Sequence, residues 1–201
     1  MDDEKRIAGD YEITAALFIG DGEVVIGENT TESGSRFMMA VCHQNDLFAQ
    51  YRVMQESDNY AEIVQAFGER VALQARQIQE EVKALNIPTE VITKEDCIPD
   101  SFDRSIEGKI IAINPEVLRS EYRRADRQLY LVTGGFGASA NSRGSAVFCK
   151  NLHTGEHTRF ERRDVLGEVK PEKLPDWAKK KSEACNLAFC VFKTLPRRGK
   201  I

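Results

Sequence analysis

Leu131-Val132-Thr133-Gly134-Gly135-Phe136-Gly137 decides how the back half of this chain is read. A β-branched apolar run enters a cluster of glycines, with Gly135, Gly137 and Ala140 at the spacing of a dinucleotide-binding fingerprint. Such a site needs a helix that begins at the glycines, because the free N–H groups of its first turn hold the pyrophosphate. Residues 138–145 offer Asn141, Ser142 and Gly144 instead, and the apolar run after them reads as a strand leading into a hairpin. A P-loop fails as well, because Gly144 is followed by Ser145-Ala146 where Lys and Ser or Thr belong. The glycines are therefore expected to turn the chain sharply between strands, with Arg143 at the loop tip in reach of a phosphate or a carboxylate.

Outward from this loop the chain alternates short strands with tight turns: Lys109 to Ile113, Gln128 to Thr133, Ser145 to Leu152 and His157 to Arg162. Gly155 supplies positive φ in the turn from His153 to Glu156, and Asp164 to Gly167 closes the run. Residues 106–169 thus read as a glycine-rich module, either a small β-barrel of SH3-like character or a strongly bent sheet. Beyond it, 170–201 is an extension in which Pro171 to Lys181 includes a short helix, with Pro175 in its first turn and Trp177 as its anchor. Leu187 to Phe192 fits either a buried strand or the end of a longer helix.

Upstream, residues 1–9 read as a charged, disordered tail, and 10–87 as an acidic α+β lobe. Ile13 to Gly20 and Glu23 to Ile26 form a hairpin about Asp21-Gly22, and Arg36 to Cys42 is a third strand. Val64, Phe67, Val71, Ala75, Ile78, Val82 and Leu85 recur at steps of three or four and mark one long amphipathic helix. Asn59 and Glu62 approximate a capping box at its start, and Pro88 ends it. Gly68 inside the helix suggests a close packing neighbour. Residues 88–105, with Pro88, Pro99 and scattered acids, read as a linker. The fold class expected is α+β: an antiparallel N-terminal sheet with one helix, then the β module and a short C-terminal helix.

Hydrophobic content of 41% and charged content of 30% are those of a globular chain. No apolar run approaches the length of a membrane span, and the acidic Met1 to Glu4 is unlike a signal peptide, so a cytosolic protein with no membrane partner is expected. Five cysteines without CxxC spacing read as buried free thiols, and no cofactor or metal is expected. The net charge of −4 is uneven: residues 1–103 carry −13, 104–163 carry +5 and 164–201 carry +4. Asymmetry of this kind points to a macromolecular partner.

Of the three histidines, His43 follows Cys42 at a strand end, while His153 and His157 flank a turn, and no family signature supports a nucleophile or an acid/base pair. The chain is read as non-enzymatic. Its arginines carry more: Arg119, Arg123, Arg124 and Arg127, with Arg143, Arg159, Arg162 and Arg163, could form one basic face. Tyr122, Tyr130, Phe136 and Phe160 are interleaved with them, as expected where phosphates are neutralised and bases stack. Glu116, Glu121, Asp126 and Glu161 offer the opposing reading, in which acids pair with these arginines locally. The acidic lobe in turn could mimic a phosphate backbone or steer onto a basic protein.

Thr133 to Gly137, Arg143-Gly144, Val147-Phe148, Thr154-Gly155-Glu156, Phe160, Asp164 to Gly167 and Leu174-Pro175 together resemble a domain of unknown function. That domain occurs in accessory and antirestriction-like proteins of conjugative elements and phages of gut Firmicutes. The resemblance spans about residues 105–178 and implies context: a mobile-element protein in a host cytosol, acting as an anti-CRISPR or antirestriction factor that binds a host defence nuclease. A nucleic-acid-binding accessory factor, contacting DNA or RNA through the arginine-rich module, is the alternative.

Overall fold

A computed structural model describes residues 5–44 and 48–182 and divides the chain into two units that meet between Asn86 and Ile87. The fold is mixed α+β, with one antiparallel sheet in each unit. In the first, β1 (Ile7–Ala8), β2 (Tyr11–Ile19), β3 (Gly22–Asn29), β4 (Phe37–Gln44) and β5 (Ala49–Ser57) pair in chain order. Helix α1 (Tyr60–Leu85) follows and packs on the sheet. The β2–β3 turn is one residue earlier than the sequence suggests, because Ile19 pairs with Gly22 and Gly20 supplies the positive φ of 65°. β5 has no counterpart in the sequence reading.

The helix is anchored by Ile63, Phe67 and Val71, four residues apart, against Val24, Ile26 and Met39. This stripe carries Val64 out of the interface, where it is exposed, so the inferred buried face is rotated by one residue at its start. Asn59 caps by accepting from the Ala61 N–H, but Glu62 does not reach back to the Asn59 backbone as a capping box requires. It accepts from the Ser57 hydroxyl, which itself accepts the Asn59 N–H. Gly68 has no neighbour within 4 Å of where a Cβ would stand, which overturns the expected close contact. Asn86, at φ 49°, ends the helix two residues before Pro88.

The first sheet curls strongly. In a flat sheet β2 and β5 would lie three strand spacings, roughly 14 Å, apart, yet the Tyr11 hydroxyl donates to Glu56 at 2.9 Å. Arg6 likewise donates to Glu23 on β3 and to the Tyr51 hydroxyl on β5. Two bulges, at Ile13/Ala15 and Met39/Ala40, and Gly27 at the crowded centre permit the bend. A Cβ on Gly27 would lie 2.9 Å from Tyr11 Cβ. Residues 5–9 are part of this closure, not of a disordered tail, because the buried Glu23 carboxylate requires a cation and Arg6 supplies it.

The second unit holds β6 (Cys97–Pro99), β7 (Ile110–Ile113), α2 (Ala125–Gln128), β8 (Leu129–Gly134), β9 (Ala146–Asn151), β10 (His157–Glu161) and β11 (Val165–Val169). Its strand order is β10-β9-β8-β7-β11-β6. Ile111, Ile113, Tyr130, Val132 and Val147 fill a core on one face, while Ala112, Leu129, Leu131 and Val169 fill a second core on the other. Burial on both faces accounts for the unbroken apolar runs Ile110–Ile113 and Leu129–Val132. The hydrogen-bonded ladder ends on β10 and β6, with no pairing between them that would close it into a barrel.

Residues 88–105 are not a linker. The fully buried Gln128 amide accepts from the Ile92 N–H and donates to the Ile92 and Ile113 carbonyls, stitching this segment to β7. Cys97–Pro99 then supplies the edge strand on β11. After β11, residues 176–182 are helical, and Trp177 packs on the core with its Nε1 donating to the Pro88 carbonyl at 3.3 Å. Leu187 to Phe192 and the C-terminal basic residues lie outside the described residues. Among the described residues no helix is long and apolar enough to cross a membrane.

Candidate functional site

The glycine loop leaves β8 at Gly134 and makes a single 3₁₀ turn, Phe136–Ala138, before a longer excursion to β9. Its glycines serve close backbone packing. A Cβ on Gly135 would overlap the Ala146 carbonyl, one on Gly137 the Ser145 carbonyl, and one on Gly144 the Cβ of Phe136. Gly135 also adopts φ 105°, which L side chains avoid. With its backbone clamped in this way, Phe136 projects outward with 80% of its surface exposed. Arg143 is exposed at the loop tip.

The eight arginines do not form one face. Arg119, Arg123, Arg124 and Arg127 belong to the connection that enters β8, whereas Arg143, Arg159, Arg162 and Arg163 gather where β8 ends and β9 begins. Six strand residues, roughly 20 Å, separate the groups. Within the first group Arg124 is largely buried and grips Asp126 through two bonds of 3.1 and 3.2 Å. Arg127 stacks on Tyr122 at 5.1 Å, and Arg123 donates to the Leu118 carbonyl. Arg119 is exposed.

Arg162 leaves the candidate surface altogether. It is 1% exposed and makes two 2.7 Å bonds to Asp100, with further donations to the carbonyls of Gly137, Ser101 and Arg104. One guanidinium therefore joins the glycine loop to the 100–104 segment, a structural use of the fork geometry that lysine cannot reproduce. Arg159 and Arg163 remain outside, the latter with 85% of its side chain exposed. Glu161 lies between them. A Ser145 hydrogen bond first, then Arg159 and Arg163, hold its carboxyl below the usual range.

Phe148 is a member of this surface that the sequence reading did not single out. It is half exposed on β9, opposite Arg159 on β10 and Gly134 on β8. Opposed residues share a face, so Phe148 and Arg159 lie side by side, followed by the opposed pair Lys150 and His157. The signal was present in the alternation: Val147 and Cys149 are buried, which turns Phe148 and Lys150 to the other side. Of the interleaved aromatics, Tyr130 and Phe160 face the opposite way, into the core, packed edge to face at 4.9 Å.

The remaining titratable groups are structural in setting. Burial, then the Glu23 carboxylate, raises the Cys42 thiol pKa. His153 packs edge to face on Trp177, and burial followed by Lys181 lowers its pKa. Among the described residues no three His, Cys, Asp or Glu side chains are grouped to hold a metal ion. The unit boundary sharpens the charge division: residues 1–86 hold 16 acids and 7 bases, net −9, and residues 87–201 hold 16 and 21, net +5. No known protein family, curated protein or solved structure matches the chain.

Proposed function

We propose that the chain is a non-enzymatic binding protein that contacts nucleic acid through its second unit. The observation that carries this is the gathering of exposed Arg143, Arg159 and Arg163 around the glycine loop, in a unit of net +5. Cations that neutralise phosphates release counterions, so affinity falls with salt in proportion to the number of contacts. Fluorescence anisotropy with labelled 20-nucleotide probes between about 50 and 200 mM salt tests this. Changing Arg159 or Arg163 to Gln is expected to reduce the log–log salt slope by roughly 0.7 to 0.9 each. Binding that is absent at low salt, or a slope indifferent to these changes, overturns the proposal.

The charge division favours a second reading, in which a mobile-element protein inhibits a host defence nuclease, anti-CRISPR or restriction, by direct binding. A unit at net −9 joined in one chain to a unit at +5 is suited to a partner built to hold phosphate backbones. The resemblance to antirestriction-like proteins supports the same context and a cytosolic site of action. Unchanged cleavage by a panel of Cas and restriction nucleases mixed with the full chain would count against it.

A further inference from the structure

We infer that the surface around the β8–β9 junction takes unpaired bases: its occupant is single-stranded nucleic acid, stacked on Phe136 and Phe148 with phosphates held by Arg159 and Lys150. The inference rests on the proposed nucleic-acid contact and adds the class of nucleic acid. It starts from two large rings left uncovered, Phe136 at 80% and Phe148 at 50% exposure, in a unit whose central strands are buried on both faces. The backbone that carries each ring is closely packed. Gly144 abuts the Cβ of Phe136, and Gly135 packs against the backbone of Phe148 and Ala146, so the glycines that fail as a phosphate cradle instead brace the two aromatic positions.

On the β8 side the Thr133 hydroxyl donates to the Phe148 carbonyl, and no side chain stands directly opposite Phe148. Its partner there is Gly134, which has no side chain, and a Cβ added at Gly134 would meet nothing within 4 Å. On the other side stand Arg159, directly opposite, and the pair Lys150 and His157 one position further along each strand's face. Glu161 is the acid on this face, and it is held by Arg159. Flat aromatic faces beside cations suit a strand whose bases are free, because a duplex keeps its base faces inside its own stack.

The test compares labelled oligo-dT and oligo-rU 20-mers with a 20-base-pair duplex on the full chain. Single strands of either sugar should bind more tightly than the duplex. Phe136→Ala and Phe148→Ala should each weaken single-strand binding by roughly 5- to 160-fold, the range of one base–aromatic stack. Phe136→Trp should retain affinity, and its emission should be quenched by oligo-dT beyond that of wild type, which carries only Trp177. Unchanged melting temperatures show that the alanine variants fold. If the duplex binds equally well and both alanine variants match wild type, while Arg159→Gln still reduces the salt slope, stacking is wrong and the charge-based contact survives. If no probe binds, both readings fail.

Discussion

Replacing Arg162 with alanine removes a buried guanidinium that links the glycine loop to the segment before β7, beside the backbone bonds from Ile106 to Ala138 and from Asn141 to Phe102. The guanidinium is 1% exposed, and its loss leaves Asp100, itself mostly buried, without its counter-ion and three carbonyls without their donor. Breaking a buried pair by deleting one partner costs about 3–5 kcal/mol. With a urea m-value of about 2 kcal/mol/M, a loss near 4 kcal/mol lowers the midpoint by about 2 M. Trp177 is the only tryptophan and packs on the second unit's core, so its emission reports that unit alone in the intact two-unit chain. Arg162→Lys keeps the charge but loses the fork and should still cost on the order of 2 kcal/mol. In a double-mutant cycle, Asp100→Asn with Arg162→Met should cost less than the sum of the two single changes. A lysine variant within about 0.5 kcal/mol of wild type would refute the argument, because ordinary surface substitutions fall in that range.

Gly137→Ala places a methyl group on the Ser145 carbonyl and should destabilise the second unit by about 1–3 kcal/mol in the same urea titration. Gly68→Ala meets open space on α1 and should instead raise the melting temperature of the first unit, gaining up to about 1 kcal/mol. His153 is held neutral by burial, its pKa below the ordinary 6.5. The folded state then binds this proton less readily than the unfolded chain, so stability is complete above pH 6.5 and falls as pH drops towards the lowered folded value. Urea midpoints read by Trp177 at pH 7.5 and 5.5 should show that decline, and His153→Gln should flatten it. Burial pushes the Cys149 thiol up to about 12 and Cys97 up to about 11. At pH 8, peptide mapping after iodoacetamide treatment should find both unmodified in the native chain and modified in urea.

Local patterns made much of the architecture legible. Hydrophobic period marked α1, β2 to β4 and the four strands β7 to β10, because these elements are specified by residues adjacent in sequence. The short or mostly exposed elements escaped it. β5 buries almost nothing, and β6 is only three residues, so neither carries a pattern strong enough to read. The linker assigned to 88–105 failed for a different reason: prolines and acids describe a non-regular backbone, whereas the Gln128 amide and Arg162 that dock it come from 36 and 62 residues away.

The candidate surface divides in the same way. That the glycines turn the chain, that Phe136 and Arg143 sit on the loop, and that positive charge concentrates in the back of the chain follow from residue order alone, since turn chemistry and net charge are local or additive. Which arginines face outward does not. Arg162 and Arg163 are neighbours in sequence, yet one is 1% exposed and the other's side chain is 85% exposed. Only the approach of Asp100 and three carbonyls distinguishes them, and that approach is made by tertiary packing. Phe148 joins Arg159 through strand pairing, a register that no single strand specifies by itself.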